Sequence, residues 1–143
     1  MKVNVYSLIV FCISIILLLI GTGIYFIFRT PIRVFEMIGM SQYKIITLDT
    51  QNPFNYFLIY CLPDALWYMA LLLPQIFFFL GKGLFNRLFV VMAITLPFLL
   101  EILQHFNIII GTFDWYDILT YCSTLVLYLL CVKKLFLPLH CKS

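Results

Sequence analysis

Apolar residues along the chain fall into four long runs, roughly Val5–Phe28, Phe57–Leu80, Leu88–Phe106 and Ile118–Val132, with the polar residues gathered mainly between them. A helix rises about 1.5 Å per residue, so a hydrocarbon core of about 30 Å needs about 20 apolar residues to cross it. Each run meets or approaches that length. The pattern predicts an all-α polytopic membrane protein, residues 1–143 forming a single domain of four transmembrane helices. There is no internal repeat and no low-complexity linker.

The loop after the first run carries its own pattern. Thr30-Pro31 reads as an N-cap followed by proline at the first helical position, and Gly39 can end a short helix. Between them Ile32, Phe35 and Ile38 recur every third residue, with Arg33 and Glu36 interleaved. This predicts a short interfacial helix, an irregular loop being the alternative. Asp49 to Asn55 reads as a turn before the second run. Pro74 and Pro97 lie inside runs, where each removes a backbone N–H and kinks its helix.

Composition agrees with the pattern. With 64% hydrophobic and 10% charged residues and a mean hydropathy of +1.09, the chain is unlike a soluble domain, in which charged residues are about a quarter. Charge then sets direction. If the four runs span in order, Lys2, Lys82, Arg87, Lys133, Lys134 and Lys142 share one face, while Arg29, Arg33 and Lys44 share the other. Short loops rich in Lys and Arg stay cytoplasmic, so both termini are expected on the cytoplasmic side of the inner membrane. All six acidic residues then belong to the outer side: Glu36, Asp49, Asp114 and Asp117 beyond the helices, Asp64 and Glu101 within them. The net charge of +3 supplies no clustered basic face, which excludes nucleic acid as a partner. The first run continues past Gly21-Thr22-Gly23 through Phe28, too long for a signal h-region, and reads as an uncleaved span. The five cysteines form no C-x-x-C pair and no metal-finger spacing, so no metal or cofactor is expected. Cys61 and Cys122 both lie toward the outer side, which leaves a disulfide between them open.

The carboxylates define the candidate site. Measured from the inner edges at Leu80 and Leu88, Asp64 lies roughly 24 Å and Glu101 roughly 20 Å along antiparallel helices, which places them at similar depth below the outer surface. A charge at such depth costs at least a few kcal/mol unless paired or hydrated, which makes it a functional candidate by default. Glu101, Gln104 and His105 share one helix face, as do Asp64, Trp67 and Tyr68. An outward-facing polar cleft is expected from Asp64, Trp67, Glu101, Gln104, His105, Asp114 and Asp117, with Trp67, Trp115 and Tyr116 as aromatic walls. Plainer roles compete. Asp114 fits an N-cap of the fourth helix with Asp117 favoured by its dipole, Asp64 a cap of the second if that helix starts late, and Trp115-Tyr116 an interfacial belt.

Glu101-x-x-Gln104, followed by Gly111-Thr-Phe-Asp114-x-x-Asp117-Ile-Leu, resembles the VanZ-like family of small bacterial membrane proteins, and Pro63-Asp64-Ala-Leu-Trp67-Tyr68 looks like the second-span motif of that family. The resemblance covers roughly residues 57–125. The chain has Gly111-Thr112 where the family often has a basic residue, so Arg29 or Arg33 would have to supply a basic partner. The resemblance implies a cell-envelope role, and the family is tied by name to glycopeptide resistance, especially to teicoplanin.

The reading favoured by the residues is a non-catalytic membrane protein binding a lipid head group, a wall precursor or a lipophilic glycopeptide. A membrane enzyme using paired carboxylates, metal-assisted or not, and a complex subunit or immunity protein are the alternatives. No G-x-S-x-G or H-E-x-x-H motif is present to favour the enzyme. The charge split yields one direct expectation. A reporter active only in the cytoplasm, fused to the C-terminus, should be active, and a periplasm-only reporter at the same site should be silent. The opposite pair of results overturns the orientation.

Overall fold

The computed structural model describes residues 5–28, 46, 48–79, 83–109 and 113–140, with backbone alone at 78, 79 and 134–140. The described residues are helical with short connections and contain no strand. The elements are α1 (Val5–Phe28), α2 (Pro53–Tyr56), a π-helical turn (Phe57–Cys61), α3 (Leu62–Leu72), α4 (Gln75–Phe79), α5 (Leu84–His105) and α6 (Trp115–His140). Four stretches are long and apolar enough to cross a membrane: Val5–Phe28, Pro53–Phe77, Leu84–His105 and Trp115–Lys133. The chain is thus an all-α protein with four membrane-spanning helices. The interfacial helix expected over Thr30–Gly39, and with it Arg29, Arg33 and Glu36, lies outside the described residues, as do Lys2, Lys44, Lys82, Thr112 and Lys142.

The helices run past the apolar stretches at several ends because polar residues close them. The second span starts at Pro53 rather than Phe57. Asn52 caps it, accepting the Phe54 N–H at 3.0 Å, and Pro53 occupies the first turn. The turn ahead of it is narrower than Asp49–Asn55, held by the Gln51 N–H on Asp49 Oδ1 at 2.9 Å. The third span starts at Leu84 instead of Leu88, and the fourth at Trp115 instead of Ile118. α5 ends in a Schellman turn: Asn107 N–H reaches the Gln104 carbonyl and Ile108 N–H the Leu103 carbonyl, both at 2.9 Å. Asn107 takes the left-handed position, φ 56°.

α1 packs antiparallel against the second span. Phe11, early in α1, stacks on Phe77, late in the span, with centroids 6.5 Å apart, while Tyr25 meets Trp67 at 5.3 Å. Ser14 and Gly21 are the buried positions of α1, and its other side chains present Leu and Ile outward, as a lipid-facing helix requires. Small residues let helix backbones approach in a bilayer, where apolar contact alone gives no drive to associate. Gly21 illustrates this. A Cβ there would stand 2.9 Å from the Trp67 ring and 3.2 Å from the Pro63 carbonyl. The neighbouring Thr22 accepts the Trp67 indole N–H at 3.2 Å while donating to the Leu18 carbonyl at 2.7 Å.

The other three spans meet around Tyr68, Leu72, Ile76 and Tyr128. Tyr68, Phe98 and Tyr121, one from each span, form a mutual edge-to-face trio with centroids 5.4–6.2 Å apart. The Tyr68 hydroxyl donates to the Ile94 carbonyl at 2.9 Å, in the turn just before Pro97. Cys61 and Cys122 are free thiols, the first buried and the second exposed; the buried thiol instead hydrogen-bonds Thr120.

The Gly21 seat is testable. Gly21→Val should destabilise the protein by about 1–3 kcal/mol, as overpacking does, seen as a lower melting temperature in detergent. Gly23→Ala, where an added Cβ meets nothing within 4 Å, should leave it unchanged or raise it. Equal melting of Gly21→Val and the native chain would show that α1 is not seated on Trp67.

Candidate functional site

Three segments meet at one end of the bundle: the start of the second span, the end of α5 and the start of α6. The residue that joins them is Asp114. Its Oδ1 accepts the Tyr116 N–H at 2.9 Å, capping α6, and its Oδ2 accepts the Tyr56 hydroxyl at 2.7 Å. Its own N–H points to Glu101 Oε2 at 3.5 Å, and its carbonyl accepts the Asp117 N–H at 3.2 Å. A single aspartate thereby ties α2, α5 and α6 together. Asp117 lies in the first helical turn, where the helix dipole favours its charge.

Glu101 is 5% exposed, one turn inside the end of α5. Burial of a carboxylate inside a span requires a polar counterpart, and the Asp114 backbone supplies one. Asp64 is also buried, at 9% exposure. It sits in the first turn of α3, immediately after Pro63 and the π-helical turn, in which the Leu62 N–H reaches back to the Phe57 carbonyl. Pro63 cannot donate to the carbonyl one α-turn back, at Ile59, and the wider turn re-registers the helix around that gap. The second span is already helical from Pro53, so Asp64 is an interior residue and not the cap of a late-starting helix. Asp64, Asp114 and Asp117 all lie near enough to Cys61 to act on it electrostatically.

Beside Asp64 a cavity of about 200 Å³ opens between the second, third and fourth spans. Trp67, Tyr68, Leu71, Leu96, Pro97, Leu100 and Tyr121 complete its wall. Pro97 and Glu101 are one helical turn apart on α5, so the cavity runs along the same helix face that carries the buried glutamate. Asp64 is the carboxylate that lines it.

The expected cleft is therefore only partly assembled. Asp64, Glu101, Asp114 and Asp117 cluster at one end of the bundle, and Trp67 lines the cavity, although its indole is committed to Thr22 and Tyr25 of α1. Gln104 gives its carbonyl to the closing turn of α5, and its side chain forms no hydrogen bond to the carboxylates among the described residues. His105 is exposed, with its ring against Phe106 and, at 4.7 Å, Phe113, itself packed on Trp115. Trp115 and Tyr116 are exposed, and Tyr116 meets Tyr56 at 5.4 Å. Tyr56 and Thr120 belong to this region and were not among the residues singled out by sequence pattern, whereas Cys61 was noted there only as a disulfide candidate. Tyr56 and Thr120 could have been found only by knowing where the helices start. Among the described residues no group of three or more His, Cys, Asp or Glu side chains is arranged to hold a metal ion.

Compared with family models, with curated proteins and with solved structures, the chain matches none.

The tie at Asp114 predicts a graded response. Asp114→Ala should cost about 0.5–2 kcal/mol as a lost cap, and Tyr56→Phe about 0.5–1.5 kcal/mol as a lost hydrogen bond. The double variant should cost less than the sum, because Tyr56 has no partner to lose once Asp114 is gone. Full additivity in thermal unfolding would contradict the shared bond.

Proposed function

We propose that the chain is a multi-pass protein of the bacterial cytoplasmic membrane, with both termini cytoplasmic. In this reading it binds the polar head of an envelope amphiphile, a lipid or lipid-linked wall precursor, at its outward carboxylate end without transforming it. The observation that carries the reading is Asp64. A carboxylate buried within a span borders an otherwise apolar cavity, at the end of the bundle where Glu101, Asp114 and Asp117 also gather. An amphiphile suits such a wall, with polar groups toward the carboxylates and a chain along Leu71, Leu96 and Leu100. Size supports the same ligand class. Pockets for drug-sized molecules span about 300–1,000 Å³, and a cavity of about 200 Å³ takes a chain segment rather than a whole glycopeptide. The motifs around Asp64, Glu101 and Asp114 support a VanZ-like assignment and, with it, a role at the cell envelope.

A subunit of a membrane complex is the second reading, favoured by the continuous Leu and Ile surface of α1. Lipid analysis after purification in mild detergent separates the two. The native protein should retain one amphiphile class enriched over the bulk membrane. Asp64→Asn should reduce that enrichment about tenfold, equivalent to about 1.4 kcal/mol, while accumulating normally. Retained lipid of bulk composition, together with stoichiometric co-purification of one partner protein, would replace the first reading with the second.

A further inference from the structure

Two cavities lie side by side on the second span. One, of about 260 Å³, opens between α1 and the span, with Phe11, Ser14, Ile15 and Leu18 of α1 facing Ala70. The other, of about 200 Å³, is the cavity that Asp64 borders, with Leu96, Pro97 and Leu100 of α5 on its far side. Trp67 and Leu71 line both. They are one helical turn apart and share a face, so they form a ridge with a channel on each flank.

The ridge is fixed in place. The Trp67 indole N–H is held by Thr22 at 3.2 Å, and its ring lies against Tyr25 at 5.3 Å and over Gly21. It cannot lean aside to fill either channel. The hydroxyls of Ser14 and Tyr68 are likewise turned to backbone carbonyls, of Val10 and Ile94. Away from Asp64 the walls therefore offer contact to hydrocarbon. Ile15, Leu18, Leu96 and Leu100 are themselves exposed, so both channels are continuous with the surface that faces lipid.

The end of the ridge at Asp64 is of opposite character. Glu101, Asp114 and Asp117 gather there, whereas Arg87 and Lys133, the arginine and lysine whose side chains are described, lie at the other ends of α5 and α6. Such an end favours a positive head group. An amphiphile with one chain fills one channel and leaves the other to unconnected lipid. Joining two chains to one head makes filling of the second channel an intramolecular step, which raises affinity without any new contact.

We propose that the occupant is one lipid with two acyl chains and an ammonium-bearing head, astride the Trp67–Leu71 ridge. One chain lies in each channel, and the ammonium lies at the carboxylate end beside Asp64. This rests on the amphiphile-binding reading above and narrows it to diacyl lipids, away from carriers built on a single polyprenyl chain.

Native mass spectrometry of the full chain in mild detergent, titrated with dioleoyl phosphatidylethanolamine and with its one-chain lyso form, tests this. The two-chain lipid should bind more tightly by about tenfold or more. Dioleoyl phosphatidylglycerol, with the same chains and no ammonium, should bind more weakly than the phosphatidylethanolamine. Ile15→Trp, at an exposed position of the α1 channel, should bring the two-chain affinity down to that of the lyso form; Leu18→Trp takes its place if that chain fails to accumulate. Leu19→Trp, exposed on α1 outside the channel, should keep the two-chain preference. Equal affinity for one and two chains, or an undiminished preference in Ile15→Trp, overturns the straddling lipid. Equal binding of the two dioleoyl lipids overturns the ammonium head. Asp64→Asn separates these failures from that of the underlying reading. If it weakens both forms of phosphatidylethanolamine while chain number makes no difference, the head site stands and the two-chain fit falls. If it weakens neither, the amphiphile reading itself falls.

Discussion

A backbone hydrogen bond missing inside a bilayer has to be replaced from nearby, and the organisation of this protein follows from three places where proline removes one. In water a freed carbonyl is hydrated at little cost. In hydrocarbon it is not, so each proline forces a local answer. At Pro63 the helix widens into the Phe57–Cys61 π-helical turn, with the Leu62 N–H reaching back to Phe57. Pro97 frees the Ala93 carbonyl, and at the adjacent Ile94 carbonyl the Tyr68 hydroxyl crosses over from the second span. Pro74 frees the Ala70 carbonyl, and at the adjacent Leu71 carbonyl the Gln75 amide turns back as a donor. These answers also place the chemistry. The wide turn delivers Asp64 to the bundle interior, and the Pro97 turn, with Tyr68 held against it, forms the wall that Asp64 borders.

The carboxylate end obeys the same logic with charges in place of carbonyls. Asp114 satisfies the first turn of α6, receives Tyr56 and presents its N–H to Glu101, so one residue anchors three segments. On the proposed reading, stability and recognition are divided among the acids as a result. Asp114 is committed through its carboxylate, its N–H and its carbonyl, which leaves it little freedom to follow a ligand. Asp64 differs in that it borders the cavity itself. Discrimination between ligands should therefore reside at Asp64, with Glu101 and Asp114 holding the frame.

The helices were legible because an apolar run of membrane length has few other stable fates, and all four spans lie where the runs do. Their ends were less so. Asn52 and Asp114 are polar and lie outside the runs, yet each starts a helix by capping it. The gathering of Asp64 with the other acids followed from depth counted along antiparallel helices. The fate of Trp67 did not, because helical spacing shows which residues share a face and not which neighbour that face meets. Trp67 sits over Gly21 and bonds Thr22, small residues in whose pattern nothing marks a helix contact. Gln104 and His105 share a face with Glu101 on paper, but α5 ends at His105. One contributes to the closing turn there, and the other turns to Phe113.

That outcome separates two kinds of polar residue in a membrane helix. A residue within the last turn lies close to water and to the chain's own termini, so its polarity is satisfied cheaply and says little about function. A residue a full turn or more inside has only neighbouring helices to satisfy it. Glu101 and Asp64 are of the second kind at the carboxylate end, and Gln75 is of the second kind near the other. Glu101 meets the Asp114 backbone and Asp64 borders the cavity wall, whereas Gln75 is held by a backbone break of its own. The molecule thus carries two independent polar defects in one apolar bundle. The one that gathers carboxylates from several spans is the one to which the proposed ligand role is assigned, and the one confined to a single helix serves the backbone.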